Sequence, residues 1–317
     1  NWDTTLLGWY YDLKEEGHNP LICGYLPYYN PFNDPADRVQ EPWLTEAASF
    51  YPHGTIFIRP TGVPNWKELT KPYPARFVSG HFCFGPNKWA KDVKHDPNIF
   101  FAGEELNLTI RSFTHGYDLF HPHRLIIWHA TMREERGGML VWDDQHKRGE
   151  NMWWKQQDVG RSRIRQLIGV EDSGHDLTGY ELGTVRTVRD YEKYAGIHFK
   201  KKSFQKYTKD NKFPPNPVIE DEKEWEDSFM YSFYHLVTIT RNMLPGDNYT
   251  HVLVAYDDEN GVGINSVFID DQRLTDFLEK GTPIHYEEMF MTDVNPSRVV
   301  YWGLSKDGWE ERVEINL

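Results

Sequence analysis

The first 130 residues alternate between apolar side chains at helical spacing and short, uninterrupted apolar runs. Residues 6–13 (LLGWYYDL) place their leucines and aromatic residues on one face of a helix, which predicts an amphipathic helix near the start of the chain. Continuous apolar runs are typical of buried strands. Three such strands are predicted, over residues 20–26, 55–58 and 75–84.

Helical spacing returns further along this region. It predicts two helices, over residues 86–93 and 104–115, the second of which ends at Gly116. A strand is predicted over residues 124–130. Side chains two positions apart share one face of a strand. The face that this strand shares would carry Leu125, Ile127 and His129.

The middle of the chain is less regular. Residues 131–151 are charged, contain glycine and show no periodicity, which predicts a mobile loop. Helices are predicted over 162–168 and 185–194, with Gly196 as the C-terminal cap of the second. Residues 206–227 combine lysines, a Pro-Pro-Asn-Pro segment and an acidic run, so their composition predicts a linker.

Beyond this linker the pattern changes to short strands separated by turns rich in Asp, Asn and Gly. Such a series predicts a small antiparallel sandwich. The domain division is therefore residues 1–205, a linker over 206–227, and a β-rich accessory domain over 228–317. The predicted strands of the accessory domain cover 231–241, 251–256, 264–269, 285–291 and 298–302, and a short helix lies near 274–278.

Composition narrows the classes of function. The chain has 317 residues, and at about 150 residues per domain it should form about two domains. A net charge of −13 disfavours a general electrostatic grip on nucleic acid or anionic membrane. The mean hydropathy is −0.69, and no apolar run approaches the ~18 residues of a transmembrane helix. The two cysteines, Cys23 and Cys83, form no disulfide framework and fit a reducing compartment.

The strongest candidate for chemistry is the pair of carboxylates Glu104 and Glu105. They stand at the predicted start of a helix, where the macrodipole favours anions. Such carboxylates can accept hydrogen bonds from sugar hydroxyls. They can equally be an acidic first turn that only stabilises the helix. The aromatic content of 15%, with 12 Trp, likewise suits either sugar binding or a bulky core.

His129 is the second candidate, because it ends an apolar strand just before the predicted loop. Ligands gather at strand ends in open α/β sheets, and imidazole is a common metal ligand. A hydrogen-bonded structural histidine is the alternative, since no HxH or HExxH spacing accompanies it. The sequence also lacks a Walker A loop and a GxGxxG motif.

Six blocks of the chain, in this order and spacing, resemble the polypeptide N-acetylglucosaminyltransferases of the cytoplasmic hydroxyproline-modifying type. More distantly, the region is similar to mucin-type polypeptide N-acetylgalactosaminyltransferases. The resemblance covers roughly residues 1–200. Its blocks are GYLPYYN at 24–30, PNWKEL at 64–69, ARFVSGHF at 75–82, GEE at 103–105, THGYDLF at 114–120 and LGTVR at 182–186.

The resemblance implies an α/β domain of the GT-A type, with a Rossmann-like sheet that holds a nucleotide-sugar donor and Mn²⁺ or Mg²⁺. It implies a retaining, cytoplasmic enzyme that moves a GlcNAc-like sugar from a UDP-sugar to a hydroxyl group, with no membrane partner. His129 matches a metal ligand of this family. Glu104 matches the carboxylate that contacts the sugar hydroxyls, and Glu105 lies beside it, nearer the acceptor.

The same resemblance assigns further substrate contacts. Ser79 and Gly80, followed by His81, match the backbone that lies against the donor sugar. The loop after the metal histidine closes over the diphosphate in the relatives and would exclude competing water. Its candidate contacts here are Arg133, Arg136 and Trp142.

One departure from the family concerns the metal. The family's Asp-x-His motif, which supplies the first metal ligands, lies upstream of a block that resembles Asn1-Trp2-Asp3-Thr4. The expectation is therefore a GT-A domain that is N-terminally incomplete. A second polypeptide would supply the missing half, or the chain given is a part, or the piece is inactive alone.

Three classes of function follow from these features. The first is a glycosyltransferase that modifies a protein hydroxyl. The second is a glycosyltransferase that acts on hydroxymethylated DNA bases. The third is a non-catalytic, sugar-binding remnant. The cations that keep the DNA alternative open are Lys200, Lys201, Lys202, Lys206 and Lys209 with Arg161, Arg163 and Arg165.

Overall fold

The computed structural model describes residues 1–130 and 152–317 and divides the chain into two units, Asn1–Asp227 and Ser228–Leu317. The loop predicted over 131–151 lies outside the described residues. Both units mix helices with sheets. None of the described helices is long and apolar enough to cross a membrane.

The first unit contains short strands and seven α-helices within its described residues. The helices are α1 (Trp2–Glu15), α2 (Asn87–Asp92), α3 (Glu104–Thr114), α4 (Trp153–Leu167), α5 (Val188–Ala195), α6 (Lys206–Lys209) and α7 (Glu222–Asp227), with a 3-10 turn at Trp66–Glu68. The strands are β1 (Pro20–Cys23), β2 (Tyr28–Tyr29), β3 (Trp43–Phe50), β4 (Ile56–Gly62), β5 (Tyr73–Pro74), β6 (Cys83–Phe84), β7 (Asp118–His121), β8 (His129–Ala130), β9 (Ile197–His198) and β10 (Ser203–Phe204).

A mixed sheet in the order β5-β7-β1-β6 carries the core of the first unit. Strands β1 and β7 are parallel, and both outer strands run antiparallel to their neighbours. Alternate side chains of a strand point to opposite faces. Ile22 and Phe120 therefore pack with Leu6 and Leu13 of α1. On the other face, Leu21 and Leu119 pack with Leu108 of α3.

These two clusters explain why the predicted helices form where they do. Leu6 and Leu13 are seven residues apart, two turns of one helical face, and both are buried against the sheet. Burying one leucine side chain is worth about 1.5–3 kcal/mol. Helix α1, predicted over the first residues, is confirmed, as are helices α2 and α3, with Gly116 in the left-handed conformation after α3.

The strand predicted over 75–84 is wrong. Only Tyr73–Pro74 and Cys83–Phe84 pair in the sheet, and the chain between them leaves it. The backbone N–H of Val78 donates to Thr109 Oγ1 of α3 at 2.8 Å instead of to a neighbouring strand. This bond to α3 draws the segment that follows, Ser79 and Gly80, toward the start of that helix.

The strand predicted over 124–130 is also shorter than expected. Only His129–Ala130 is a strand, and it pairs in parallel with Tyr28–Tyr29. Ile126, rather than its neighbours Leu125 and Ile127, packs against the cluster that contains Leu6. Because residues 124–128 form no strand, the predicted shared strand face of Leu125, Ile127 and His129 does not form.

Other elements of the first unit were predicted only in part or not at all. The hairpin of β3 and β4 was predicted only in part, and β7 was not predicted. Helix α4 begins at Trp153 rather than at residue 162. Helix α5 is confirmed: Thr187 and Asp190 form a capping box at its start, and Gly196 ends it with a φ of 63°.

The segment 206–227, predicted as a linker, contains α6 and α7 and belongs to the first unit. Asn216 is buried in it and bonds the guanidinium of Arg76 at 2.7 Å. Arg76 also donates to the carbonyl oxygens of Ala195 and Lys212. The segment is thus tied to the sheet by buried polar contacts that composition does not reveal.

The second unit consists of antiparallel strands and one helix, and its predicted elements are all present. Strand β11 pairs with β14 in one sheet, and the other sheet has the order β13-β12-β15-β16 with β17 also paired to β15. Both sheets and the helix contribute to one apolar cluster, which includes Val237, Val254 and Phe277. The elements are β11 (Tyr231–Ile239), β12 (Tyr249–Asp257), β13 (Gly263–Ile269), α8 (Gln272–Lys280), β14 (Ile284–Thr292), β15 (Arg298–Ser305), β16 (Gly308–Trp309) and β17 (Val313–Asn316).

Candidate functional site

A cavity of about 420 Å³ lies in the first unit, beside the start of helix α3. Four parts of the fold surround it: the β3–β4 hairpin, the turn at Gly80 and His81, the first turn of α3, and one face of α4. Its wall includes the two carboxylates singled out from the sequence. The residues that line it include Tyr25, Tyr51, Gly80, His81, Phe101, Glu104, Glu105, Gln157 and Arg161.

The start of α3 is shaped by two left-handed residues. Phe101 has a φ of 55° and Gly103 a φ of 92°, so the chain turns sharply before the helix begins. A Cβ at position 103 would lie 2.1 Å from Cδ1 of Ile164 in α4, so this contact requires glycine. The turn leaves the ring of Phe101 63% exposed at the cavity and presents Glu104 and Glu105 as the first helical residues.

The two carboxylates approach the backbone at Gly80. A Cβ built on Gly80 would stand 3.1 Å from Oε1 of Glu104 and 3.8 Å from Oε1 of Glu105. His95 Nε2 lies 3.2 Å from the same Glu104 oxygen. The glycine thus lets the turn and the carboxylates meet at one wall of the cavity, where a ligand can contact both.

The electrostatics of Glu105 are set by burial. Burial raises the pKa of Glu105, and the neighbouring Glu104 charge raises it further, while backbone N–H groups, including that of Gly80, partly offset the effect. A buried carboxylate is stabilised by hydrogen-bond donors, and the hydroxyl groups of a ligand can supply them. The arrangement therefore suits a neutral, hydroxyl-rich ligand.

The turn at Gly80 and His81 is stabilised by a buried side chain, that of Ser79. Ser79 is fully buried, and its Oγ accepts the N–H of His81 at 3.3 Å, so its side chain stabilises the turn and does not line the cavity. His81 does line it. The ring of His81 contacts that of Tyr25, with centroids 4.0 Å apart and planes tilted by 32°, and its Nδ1 accepts the N–H of Leu26 at 3.4 Å.

His129 lies behind His81 and does not itself line the cavity. Its ring centroid is 5.1 Å from that of His81, and its backbone N–H donates to Pro27 at 2.9 Å. It is exposed and is not among the residues that line the cavity. Burial lowers the pKa of His81, and the charge of His129 adds to that effect. The structure thus brings His129 to the cavity's edge through His81.

The fit of these residues to a divalent metal is incomplete. Across residues 1–130 and 152–317, no three side chains of His, Cys, Asp or Glu are grouped so that they could hold a metal ion. His81 and His129 provide two neighbouring imidazoles, which fall short of a complete set of ligands. The described residues alone therefore do not form a metal centre.

Three predicted contacts, Arg133, Arg136 and Trp142, lie outside the described residues. Conversely, the cavity has walls that the sequence did not indicate. Tyr51 reaches it from the β3–β4 hairpin, whose first strand was not predicted. Arg161 and Gln157 reach it from α4, and the only signal was the run of alternating arginines in that helix.

Most of the cations that favoured a DNA acceptor are already paired. Arg163 binds the buried Asp96 at 2.6 Å, and Arg165 binds Glu171 at 2.7 Å. Four of the five lysines contact protein oxygens. Lys201 and Lys206 form ion pairs with Glu226 and Asp210. Lys202 and Lys209 donate to the carbonyl oxygens of Pro52 and Ala48.

Comparison with known proteins identifies the family of the chain. A family model described as Glycosyltransferase (GlcNAc) matches residues 1–201, which is more than half of the chain and includes every part of the cavity. No curated protein matches the sequence.

Burial of Glu105 predicts a stabilising substitution. In the folded chain its pKa lies above the ordinary value, so ionisation costs stability once the pH rises above the pKa of the unfolded chain. Glu105→Gln should raise the melting temperature at neutral pH, and the difference should vanish in acid, where Glu105 is protonated in both states. Thermal melts across this range measure it, and an equal or lower melting temperature at neutral pH would contradict the assignment.

Proposed function

Because this chain belongs to the Glycosyltransferase (GlcNAc) family, we propose that its first unit transfers GlcNAc from UDP-GlcNAc to a hydroxyl group of a protein. The observation that carries the proposal is the convergence of Glu104, Glu105 and the Gly80 backbone on one cavity. Sugar transfer as such follows from the family. The donor, the acceptor and the residue roles are the proposal.

Glu104 and the Gly80 backbone would hold the sugar. Because position 80 carries no side chain, a pyranose ring in the cavity could lie directly against the backbone there. Glu104 would accept hydrogen bonds from the ring hydroxyls, and Glu105 beside it would orient the acceptor hydroxyl. Holding two reactants in one geometry removes a large part of the entropic barrier.

The reaction would retain the configuration at the anomeric carbon. The acceptor oxygen forms a bond to that carbon on the face from which the diphosphate leaves. The bond from the carbon to the diphosphate oxygen breaks, and its electron pair stays on the diphosphate. The acceptor proton passes to a diphosphate oxygen. Neither glutamate becomes covalently bound, and both act by positioning.

The fold supports a GT-A arrangement in the first unit. The parallel pair β1–β7, covered by α1 on one face and by α3 on the other, is what a Rossmann-like sheet contains. The predicted sandwich in the second unit is supported by two antiparallel sheets that share one apolar cluster.

A protein acceptor is favoured over DNA by charge. The chain has a net charge of −13. The basic residues that could contact phosphates largely bind carboxylates or carbonyl oxygens of the protein. Affinity for a DNA backbone comes from several Lys and Arg contacts to phosphates, so internal pairing of most of these cations disfavours a DNA acceptor. Among protein hydroxyls, hydroxyproline is the acceptor that the family resemblance implies.

We keep Mn²⁺ or Mg²⁺ in the proposal, with His129 as one ligand. A divalent ion there would act as a Lewis acid on the diphosphate. The described residues hold no complete group of ligands for it. No step above depends on it.

Removing the Glu104 carboxylate should slow turnover more than it weakens donor binding. We expect Glu104→Ala to lower kcat for UDP release from UDP-GlcNAc by about a hundredfold, the size that loss of substrate positioning can cost. Glu15→Ala is the matched control, because Glu15 is exposed on α1. Wild-type turnover in the Glu104 variant would refute the assigned role, and donor binding without any turnover by the wild-type chain would instead favour a sugar-binding remnant.

The metal prediction is tested separately. His129→Ala should weaken Mn²⁺ binding in the presence of UDP by at least about tenfold, because even partners of metal ligands contribute that much. Free Mn²⁺ is measured by electron paramagnetic resonance, so the readout does not depend on activity. His285→Ala, an exposed histidine of the second unit, serves as the control. Unchanged Mn²⁺ affinity in His129→Ala would remove this residue from the proposal.

A further inference from the structure

Three arginines, spaced two residues apart in α4, end in three different environments. Arg163 is buried and binds Asp96, and Arg165 binds Glu171 at the surface. Arg161 instead lines the cavity that contains Glu104 and Glu105. The sequence presents these arginines as one basic cluster, whereas the fold gives each a separate partner.

The position of Arg161 is fixed by the way α4 docks. Arg163 donates from Nε and Nη2 to one oxygen of Asp96, at 2.8 and 2.6 Å, and from Nη1 to the carbonyl of Asp176. Gly160 brings the helix close to the backbone at Ile99, which a Cβ would approach to 3.3 Å. The helix therefore cannot slide along the cavity without breaking a buried ion pair.

The guanidinium of Arg161 has unused hydrogen-bonding capacity. Its Nη1 lies 3.2 Å from Oδ1 of Asp158, which neutralises one edge of the group. Its Nε is buried and has no hydrogen-bond partner among the described residues. The group lies 5.9 Å from the ring centroid of Tyr51, another wall of the cavity. A guanidinium has five N–H donors, and a buried donor without a partner is costly.

The charges of the cavity are divided between its walls. Glu104 and Glu105 are acidic, and Arg161 is the one permanently positive side chain among the residues described as lining it. Burial, followed by the charge of Arg161, lowers the pKa of the nearby His53 to about 4, so that imidazole adds no cation at neutral pH. A sugar–diphosphate has matching parts: neutral hydroxyls suit the carboxylates, and the anionic diphosphate suits the guanidinium.

We infer that Arg161 forms the phosphate subsite of this cavity, binding the diphosphate of the donor and of the nucleoside diphosphate product. The inference rests on the proposed function. With the diphosphate at Arg161, the anomeric carbon is held toward Glu104 and Glu105. When the bond to the diphosphate oxygen breaks, the electron pair and the charge stay on the diphosphate, and the N–H donors of Arg161 stabilise them without giving up a proton.

The test is a titration of inorganic pyrophosphate into the full chain, with and without Mn²⁺. We expect Arg161→Gln to weaken pyrophosphate binding at least about tenfold, as loss of one charge-assisted pair would do. Arg161→Lys should keep part of the affinity, because it restores the charge but not the planar fork. Arg165→Gln is the matched control: it lies in the same helix, and its side chain is 19% exposed against 21% for Arg161.

The outcomes separate this inference from the proposed function. Three results overturn it: no binding of pyrophosphate by the wild-type chain in either condition, wild-type affinity in Arg161→Gln, or an equal loss in Arg165→Gln. If the expected losses appear but UDP-GlcNAc is not turned over, the proposed transfer fails while the phosphate subsite stands. Thermal melts check that each variant is folded. If Arg161→Gln does not fold, the pyrophosphate affinity of Arg161→Lys is compared with that of the wild-type chain instead.

Discussion

Helix α4 packs directly on the chain that leads into helix α3, and this contact places every charged group of the candidate site. Gly103 admits Ile164 where any side chain would collide with it, and Asp96 receives two hydrogen bonds from Arg163. A buried ion pair stabilises little compared with apolar packing, but breaking it leaves a charge uncompensated. The pair therefore acts mainly to hold one arrangement of the two helices. In that arrangement the carboxylates of α3 and the guanidinium of Arg161 share one cavity.

Several features of this region are unfavourable by themselves. Phe101 is left-handed and largely exposed, the pKa of Glu105 is raised by burial, and Nε of Arg161 has no partner in the described part of the chain. Other left-handed or unpartnered groups occur in the first unit, such as the left-handed Asn65 and the buried Nη2 of Arg111. At the cavity, however, the three features share one concave region, where a ligand could contact each of them.

The sequence predicted those elements whose formation is local. Helix α1 follows from the spacing of Leu6 and Leu13, and the strands of the second unit follow from alternation and turn residues. The prediction failed for segments whose conformation depends on contacts with residues far away in the chain. Residues 75–84 read as one strand, yet Thr109 and Asn216 draw the segment out of the sheet through Val78 and Arg76. For the site, a resemblance indicated Glu104, Glu105 and Gly80, whereas Tyr51 and Arg161 depend on a hairpin and a helix docking that no local pattern encodes.

The central claim is that sugar transfer takes place in the cavity, against the wall that Gly80 and the two carboxylates form. Gly80→Ala tests it most directly, because the backbone there accepts alanine, while the added methyl group would stand 3.1 Å from the Glu104 oxygen and force that carboxylate to move. Gly8→Ala, at a glycine with no neighbouring atom within 4 Å of its Cβ, is the control. The account predicts that Gly80→Ala keeps its melting temperature but hydrolyses UDP-GlcNAc at least about tenfold more slowly. Hydrolysis at the wild-type rate by a folded Gly80→Ala chain would contradict it.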